Sequence, residues 1–413
     1  METRRPVARP PVRGAYRYPT YVYWRRRVLV VIFVSLITVV GYLGISLGFA
    51  LTNQSFGVSY SARFAEWGRT HGIGGAVTWL EAEFYKLHPA KVGGKPPASA
   101  FLGKGPTRVN VPASGHLPEP ARMTSPAGPS LPGEGVWHVA GRTTTTGIPT
   151  VYEAFVRPDP VHTSYVVGVA WMDTTLLRAQ LYSGSFIPGG HVHFAYSAPI
   201  TTHSSRSLVA AFNAGFRMQD AQGGYYTDGH MIDPLRVGAA SIVIFKDGLI
   251  TVGQWGRDVS ASQLTKGNIS SVRQNLDLIV ENGKPVAGLT AQNTFKWGKT
   301  LGGAYNVWRS GVGVTKNGAL VYVGGPSLSI GALANVLVHA GAVRAMETDI
   351  NTDWVQYTTF TGAPNAAVNG AEGTNLVHAM AGSPSRWFAS WWSRDFFTMN
   401  LRSESTTTTT AKG

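Results

Sequence analysis

Residues 309–354 read as hairpin, helix and strand in immediate succession, and that order restricts the chain to folds that mix strands with helices. Residues 312–315 and 320–323 are short apolar runs joined by Lys316-Asn317-Gly318. An Asn-Gly pair between such runs is a strong hairpin signal, because both residues tolerate positive φ. Ile330, Leu333, Ala334, Leu337 and Val338 then recur at helical spacing and form one apolar stripe. Ser327 and Ser329 are candidate N-caps, and Gly341 stands where a left-handed C-terminal cap belongs. The chain continues as Val343-Arg344-Ala345-Met346-Glu347-Thr348-Asp349. As a strand, this run puts Glu347 and Asp349 on one face, about 7 Å apart. Two carboxylates at a strand end behind a buried helix are costly to leave unpaired, which makes them a candidate active site.

The chain's 413 residues, 44% of them hydrophobic, are enough for a substantial core in one large domain or two. With no cysteine, a disulfide framework, a Cys-ligated zinc and a thiol nucleophile are all excluded. Residues 1–27 form a Pro-rich basic tail with eight arginines and one glutamate, half of the formal excess of +14. Residues 28–51 carry no charge over a length that spans a ~30 Å hydrocarbon core. Arg25-Arg26-Arg27 abut only the first end of this run. The positive-inside bias therefore keeps the tail cytoplasmic and sends the remainder across. The apolar run exceeds a signal-peptide core and Ala50 is a poor cleavage site, so the reading is a single-pass signal anchor. This topogenic role accounts for the basic tail without nucleic acid, and the partner expected here is the lipid bilayer.

Residues 52–88 are expected to be helical, with Val77, Leu80, Phe84 and Leu87 on one stripe after a break at Gly72-Ile73-Gly74-Gly75. Glu81 and Glu83 read as its solvated face. Residues 89–135 are rich in Pro, Gly, Ala and Ser and read as a linker or an extended wrap. A domain over residues 136–400 follows, and a Thr-rich tail over 401–413 is disordered by composition. Strands are expected at 136–140, 150–156, 164–171 and 179–182, and again at 191–196, where His191 and His193 share a face. That pair reads as a hydrogen-bonded surface pair rather than a metal site, since no third ligand stands near it in sequence. A short helix is expected at 204–211. A hairpin is expected around Lys246-Asp247-Gly248, a turn at 281–284 and a closing strand at 354–360. The aromatic-rich end at 387–397 reads as domain packing. The fold class is thus α+β: a mixed β-sheet domain with helices packed on it, preceded by one transmembrane helix.

Further candidates lie outside the central stretch. Asn213 offers a donor and an acceptor in a turn beside Gly215, whose lack of a side chain lets a ligand approach the backbone. Tyr226, Asp228 and His230 share a segment that suits sugar recognition or a packed Ω-loop. Arg257 could clamp a phosphate, although an ion pair with Asp258 is the plainer reading, and Arg273 is a second-tier ligand contact. Asp349, Asn351 and Asp353 alternate like the oxygens of a calcium loop. Trp354 replaces the required glycine and no closing Glu follows, so an EF-hand fails and a divalent cation there has no further support. The alternative role for Asp349 and Asp353 is Asx-turn capping after the strand.

Three segments resemble the phosphodiester glycosidase family, which includes the uncovering-enzyme domain and bacterial membrane-anchored members. Ala211-Phe212-Asn213-Ala214-Gly215-Phe216 is similar to its Asn-Gly-Gly-Phe segment. Arg309-Ser310-Gly311-Val312-Gly313 is similar to its Arg-x-x-x-Gly strand, and residues 345–351 occupy the place of its Leu-Asp-Gly-Gly-Gly-Ser segment. The resemblance covers residues 136–360 in order and spacing. It implies a site with Asp349, Arg309 and Asn213 as catalytic residues, to which the strand alternation adds Glu347, and a sugar-phosphate or anionic glycan as substrate. This chain departs from the pattern at Asp349-Ile350-Asn351-Thr352, where the family carries glycines. Two functions are therefore open: an extracytoplasmic enzyme cleaving a sugar-1-phosphodiester, or a non-catalytic protein on the same fold that binds an anionic glycan.

Overall fold

The computed structural model describes residues 18–107, 109, 115–189, 192–290, 296–298, 305–390 and 392–403. It divides into two compact units, Met1–Thr52 and Asn53–Gly413. In the first, helix α1 (Thr20–Thr52) is long and apolar enough to cross a membrane by length and composition. It starts ahead of the expected span because Arg25, Arg26 and Arg27 continue the same helix.

The second unit opens with a helical hairpin, α2 (Tyr60–Thr70) and α3 (Gly74–Leu87). Ser59 caps α2 by accepting from the Ala62 N–H at 3.1 Å. Gly72, at φ +82°, makes the turn between the helices. Glu81 pairs with Arg69 at 2.8 Å, so this acid belongs to the hairpin rather than to a solvated face. Between this hairpin and the first strand, regular structure in the described residues is limited to a single 3-10 turn, Ala98–Phe101. The segment is nevertheless fastened down. Phe101 and Met123 are buried, and Trp137 Nε1 donates to the Ala121 carbonyl. Glu134, fully buried, accepts from Ser125 Oγ, the Leu131 N–H and the Arg157 guanidinium. It is an extended wrap, because buried polar anchors supply the ordering that its composition does not.

Among the described residues eighteen strands make three antiparallel sheets. The largest runs β1 (His138–Thr143), β2 (Pro149–Val156), β3 (Val167–Met172), β14 (Leu320–Leu328), β13 (Val307–Thr315), β15 (Ala342–Asp349), β11 (Leu278–Glu281), β12 (Lys284–Pro285) in space. The second runs β7 (His230–Asp233), β6 (Tyr225–Thr227), β10 (Ile269–Gln274), β8 (Ala240–Phe245), β9 (Ile250–Gln254). The third runs β17 (Gly373–Asn375), β16 (Tyr357–Phe360), β5 (Leu208–Asn213), β18 (Phe396–Leu401), β4 (Leu177–Tyr182). Alternation decides what each face of the large sheet meets. After two short helices, α4 (Met218–Ala221) and α5 (Ala261–Thr265), comes helix α6 (Ile330–His339); Val321 and Val323 pack with it, while Tyr322 between them joins the core shared with the other two sheets. The 316–318 turn, the α6 cap by Ser329 (3.0 Å to the Ala332 N–H) and Gly341 at φ +91° all follow the sequence expectation.

Two expected elements are corrected. Residues 208–211, expected to end a helix, belong to β5, a central strand between β16 and β18. The run Leu208-Val209-Ala210-Ala211-Phe212 is buried throughout, and a short, fully buried apolar run carries no period to tell helix from strand. Residues 192–196 form no strand, and His191 lies outside the described residues. The Ala195 N–H is taken by Asp228, and Pro188 and Pro199 bracket the segment with residues that cannot donate to a ladder. Sequence reasoning also missed β18, which the aromatic-rich end feeds.

Candidate active site

The site is built where β13 and β15 run side by side and their register slips. Gly311 faces Glu347 but Ser310 faces Asp349, so Thr348 is an extra residue, a bulge that breaks simple alternation at the strand end. Bulges re-aim side chains, and here the two carboxylates enter different surroundings. Glu347 is fully buried and its Oε1 receives Arg309 Nη1 at 2.5 Å. Arg309, also buried, spends its other nitrogens on the carbonyls of Leu328 (2.9 Å) and Tyr305 (3.3 Å). Glu347 Oε2 has no hydrogen-bond partner among the described residues. Burial accordingly pushes the Glu347 carboxyl upward, against the pull of Arg309.

Asp349 stands at the end of β15. Its Oδ1 accepts from the N–H groups of Ile350 (2.7 Å) and Asn351 (3.0 Å), and Asn351 Oδ1 repeats the turn on Asp353 N–H (2.9 Å). Asp349 and Asn351 thus cap turns, the alternative weighed for Asp349 in the sequence. Asp353 instead lies near the Ser59 N–H at the start of α2. Among the described residues no group of three His, Asp or Glu side chains could hold a metal ion, and these turn oxygens are committed to backbone donors. Asp349 Oδ2 makes no hydrogen bond among the described residues. Burial raises this carboxyl to about 6, opposed first by Arg394 and then by the two turn N–H groups.

Asp349 lines a cleft of about 590 Å³. Glu66, Arg69 and Tyr85 from the α2–α3 hairpin form one wall. Phe216 and Arg217, just past β5, form another, and Asn351, Trp354 and Arg394 complete it. Arg217 Nη1 meets Glu66 at 3.1 Å, which ties the hairpin to the sheet domain across the cleft. The guanidinium of Arg394 lies 4.3 Å from the centre of the Trp354 ring.

The other residues expected at the site divide into two groups. Asn213, Arg309, Glu347 and Asp349 do come together, yet of these Asp349 alone lines the cleft. Asn213 is buried behind it as a hub. It donates to Ser310 Oγ (3.1 Å) and Thr348 Oγ1 (3.2 Å), and accepts from Tyr322 OH (2.9 Å) and the Gln356 N–H (3.2 Å). Its amide is satisfied within the protein, which corrects the expectation of a ligand contact. Arg273 is likewise buried, paired with Asp395 at 2.6 Å and donating to the Phe216 carbonyl, so it braces the 215–217 loop rather than a substrate. A Cβ on Gly215 would come 3.2 Å from Arg273 Nη2, and this close packing accounts for the glycine.

Tyr226, Asp228, His230 and Arg257 lie away from the cleft. Asp228 (φ +52°) and Gly229 (φ +84°) form the tight turn of the β6–β7 hairpin, an Asp-Gly signal legible in the sequence. Tyr226 packs into a core beneath that hairpin. Arg257 pairs with Asp258 at 2.9 Å and with Glu281, the local ion pair weighed above. Sequence reasoning missed Arg217 and Arg394. Arg217 directly follows the Asn213–Phe216 segment, and Arg394 is a cation within an aromatic run; both were available signals.

No family model matches the chain, and no curated protein matches it. Solved structures with a similar course include the catalytic domain of zebrafish N-acetylglucosamine-1-phosphodiester alpha-N-acetylglucosaminidase, auto-inhibited by its pro-peptide. That structure is 14% identical, with 64% of this chain and 88% of that one covered at a TM-score of 0.38. A hypothetical protein from Synechocystis is 12% identical over 61% and 62% of the two chains, with a TM-score of 0.32. An exported-protein candidate from Burkholderia pseudomallei is 10% identical over 57% and 74%, with a TM-score of 0.28.

Proposed function

We propose that the chain is a hydrolase cleaving a sugar-1-phosphodiester in a cell-envelope or exported glycan, held at the membrane by α1 with Asn53–Gly413 outside the cytoplasm. The observation that carries the reading is Asp349. It is a buried carboxylate with a raised pKa and one uncommitted oxygen, opening onto a cleft that also holds Arg217 and Arg394. A carboxylate tuned towards neutrality serves the anomeric centre, and guanidinium groups serve the phosphate. A phosphate leaving group needs little protonation, so one active carboxylate suffices. Arg309, Glu347 and Asn213 act as positioning residues that hold the β13–β15 ends around it. The sequence resemblance at the same strand end supports the same assignment.

Ile350 lines the cleft where the resemblance calls for glycine, and this favours the second reading, a protein that binds an anionic glycan without cleaving it. The deciding experiment incubates the full chain in mild detergent with an alkyl sugar-1-phosphodiester and measures release of reducing sugar. Turnover that disappears in Asp349→Asn supports the hydrolase. Binding without turnover establishes the alternative. For the topology, protease added outside intact cells should remove Asn53–Gly413 and spare the basic tail; a protected C-terminal unit would refute the orientation.

A further inference from the structure

We propose that Arg394, carried on the face of Trp354, is the residue that binds the phosphoryl group in this cleft; the inference rests on the hydrolase reading for the identity of the ligand and on the charge arrangement for its place. Among the described residues three guanidinium groups line the cleft. Arg69 is held by Glu81 at 2.8 Å and Glu66 at 3.7 Å. Arg217 is held by Glu66 at 3.1 Å and Asp220 at 2.9 Å. Arg394 has no carboxylate oxygen within 4.0 Å and makes no side-chain hydrogen bond among the described residues. Among the described residues it is the cleft's unspent cation, and Asp349 Oδ2 is its unspent anion.

The fold goes to some length to keep Arg394 there. Trp354 supports its guanidinium at 4.3 Å, and Arg386 packs behind, 5.7 Å from the centre of the same ring and 3.7 Å from that of Trp392. Arg386 donates to the Gln356 side chain (2.5 Å) and the Asp353 carbonyl (2.9 Å), and of the two arginines it is Arg394 that lines the cleft. A flat guanidinium fixed on an aromatic face keeps its N–H edge free, and that edge matches two phosphate oxygens at once. Burial and the neighbouring Arg217 disfavour its charge, while Asp349 and Glu66 favour it. A cation placed so, without a partner, gains most from an anionic ligand. A diester bound there would present its sugar carbon to the Asp349 side of the cleft.

Inorganic phosphate is titrated by calorimetry into the full chain in detergent, and into Arg394→Ala, Arg394→Lys, Asp349→Asn and Arg257→Gln. The expected result is at least a tenfold loss of phosphate affinity in Arg394→Ala and a partial loss in Arg394→Lys, which keeps charge but not the fork. Binding is kept in Asp349→Asn and in the surface control Arg257→Gln. A thermal midpoint recorded for each variant separates lost binding from lost folding, and Arg394→Gln replaces Arg394→Ala should the latter unfold. Phosphate affinity unchanged in Arg394→Ala, or no phosphate binding by the parent, overturns the proposal. Binding through Arg394 without hydrolysis of any sugar-1-phosphodiester upholds this site and defeats the hydrolase reading. Hydrolysis with a KM unaltered by Arg394→Ala does the reverse.

Discussion

Replacing Asn213 by alanine separates a residue that touches substrate from one that holds the site together. The amide makes four hydrogen bonds in a fully buried setting, to Ser310, Thr348, Tyr322 and Gln356. The two hydroxyls it serves keep each other, since Ser310 Oγ and Thr348 Oγ1 are 2.7 Å apart, so their loss is small. Tyr322 OH and the Gln356 N–H lose their shared acceptor. Each such orphaned group costs about 1–3 kcal/mol, or about 2–6 kcal/mol for the pair. For a unit of about 360 residues, an unfolding entropy of ~2.1 cal/mol/K per residue converts this to a fall of roughly 3–8 °C in midpoint. The measurement is thermal unfolding followed by circular dichroism, beside the hydrolysis rate. A double-mutant cycle with Tyr322→Phe should give a coupling of about 0.5–3 kcal/mol, because that variant removes the same hydrogen bond from the other side. A midpoint within about 1 °C of the parent, with activity lost, would refute the reasoning and return Asn213 to the substrate.

Other expectations follow from the same geometry. Asp349 titrates at about 6 in the fold, above its unfolded value, so its contribution is present below about pH 4 and is lost as pH rises through about 6. Asn cannot ionise, and the stability of Asp349→Asn relative to the parent should therefore improve by up to ~3 kcal/mol between pH 4 and pH 7.5; a flat difference would contradict the raised pKa. Glu134 is shifted the other way, held below the ordinary carboxylate range by Arg157, Ser125 and backbone N–H groups that together outweigh its burial. Its contribution is present above that range and is lost on acidification. Glu134→Gln strands the buried Arg157 and should cost about 3–5 kcal/mol at pH 7, with faster proteolysis within residues 88–135; unchanged cleavage would show that the wrap is fastened elsewhere.

Local chemistry that needs no distant partner was legible in the sequence. The 316–318 hairpin turn, the Ser329 cap, the α6 stripe and the Gly341 terminator each rest on residues within one or two turns of each other, so pattern alone fixed them. The uncharged run of α1 belongs with them, because its length and composition suffice for the inference. The pairing of Arg309 with Glu347 was half legible. Both stand out in the sequence as site residues, but nothing in the spacing shows that they spend their charges on each other behind the cleft.

What only the tertiary structure decided is where polar groups are satisfied, since that depends on partners far along the chain. Leu208-Val209-Ala210-Ala211-Phe212 became a strand because β16 and β18, more than a hundred residues later, supply its hydrogen bonds on both sides. Asn213 turned inward because Tyr322 and Gln356 converge on its oxygen. Arg273 was drawn to Asp395, while Arg394, one residue earlier, was left facing Asp349 across a cleft walled by a helical hairpin from the start of the unit. Sequence determines which side chains can carry charge or donate a hydrogen bond. Long-range packing determines which of them are consumed in holding the fold and which remain for a ligand, because a buried polar group takes the partner the surrounding elements bring to it.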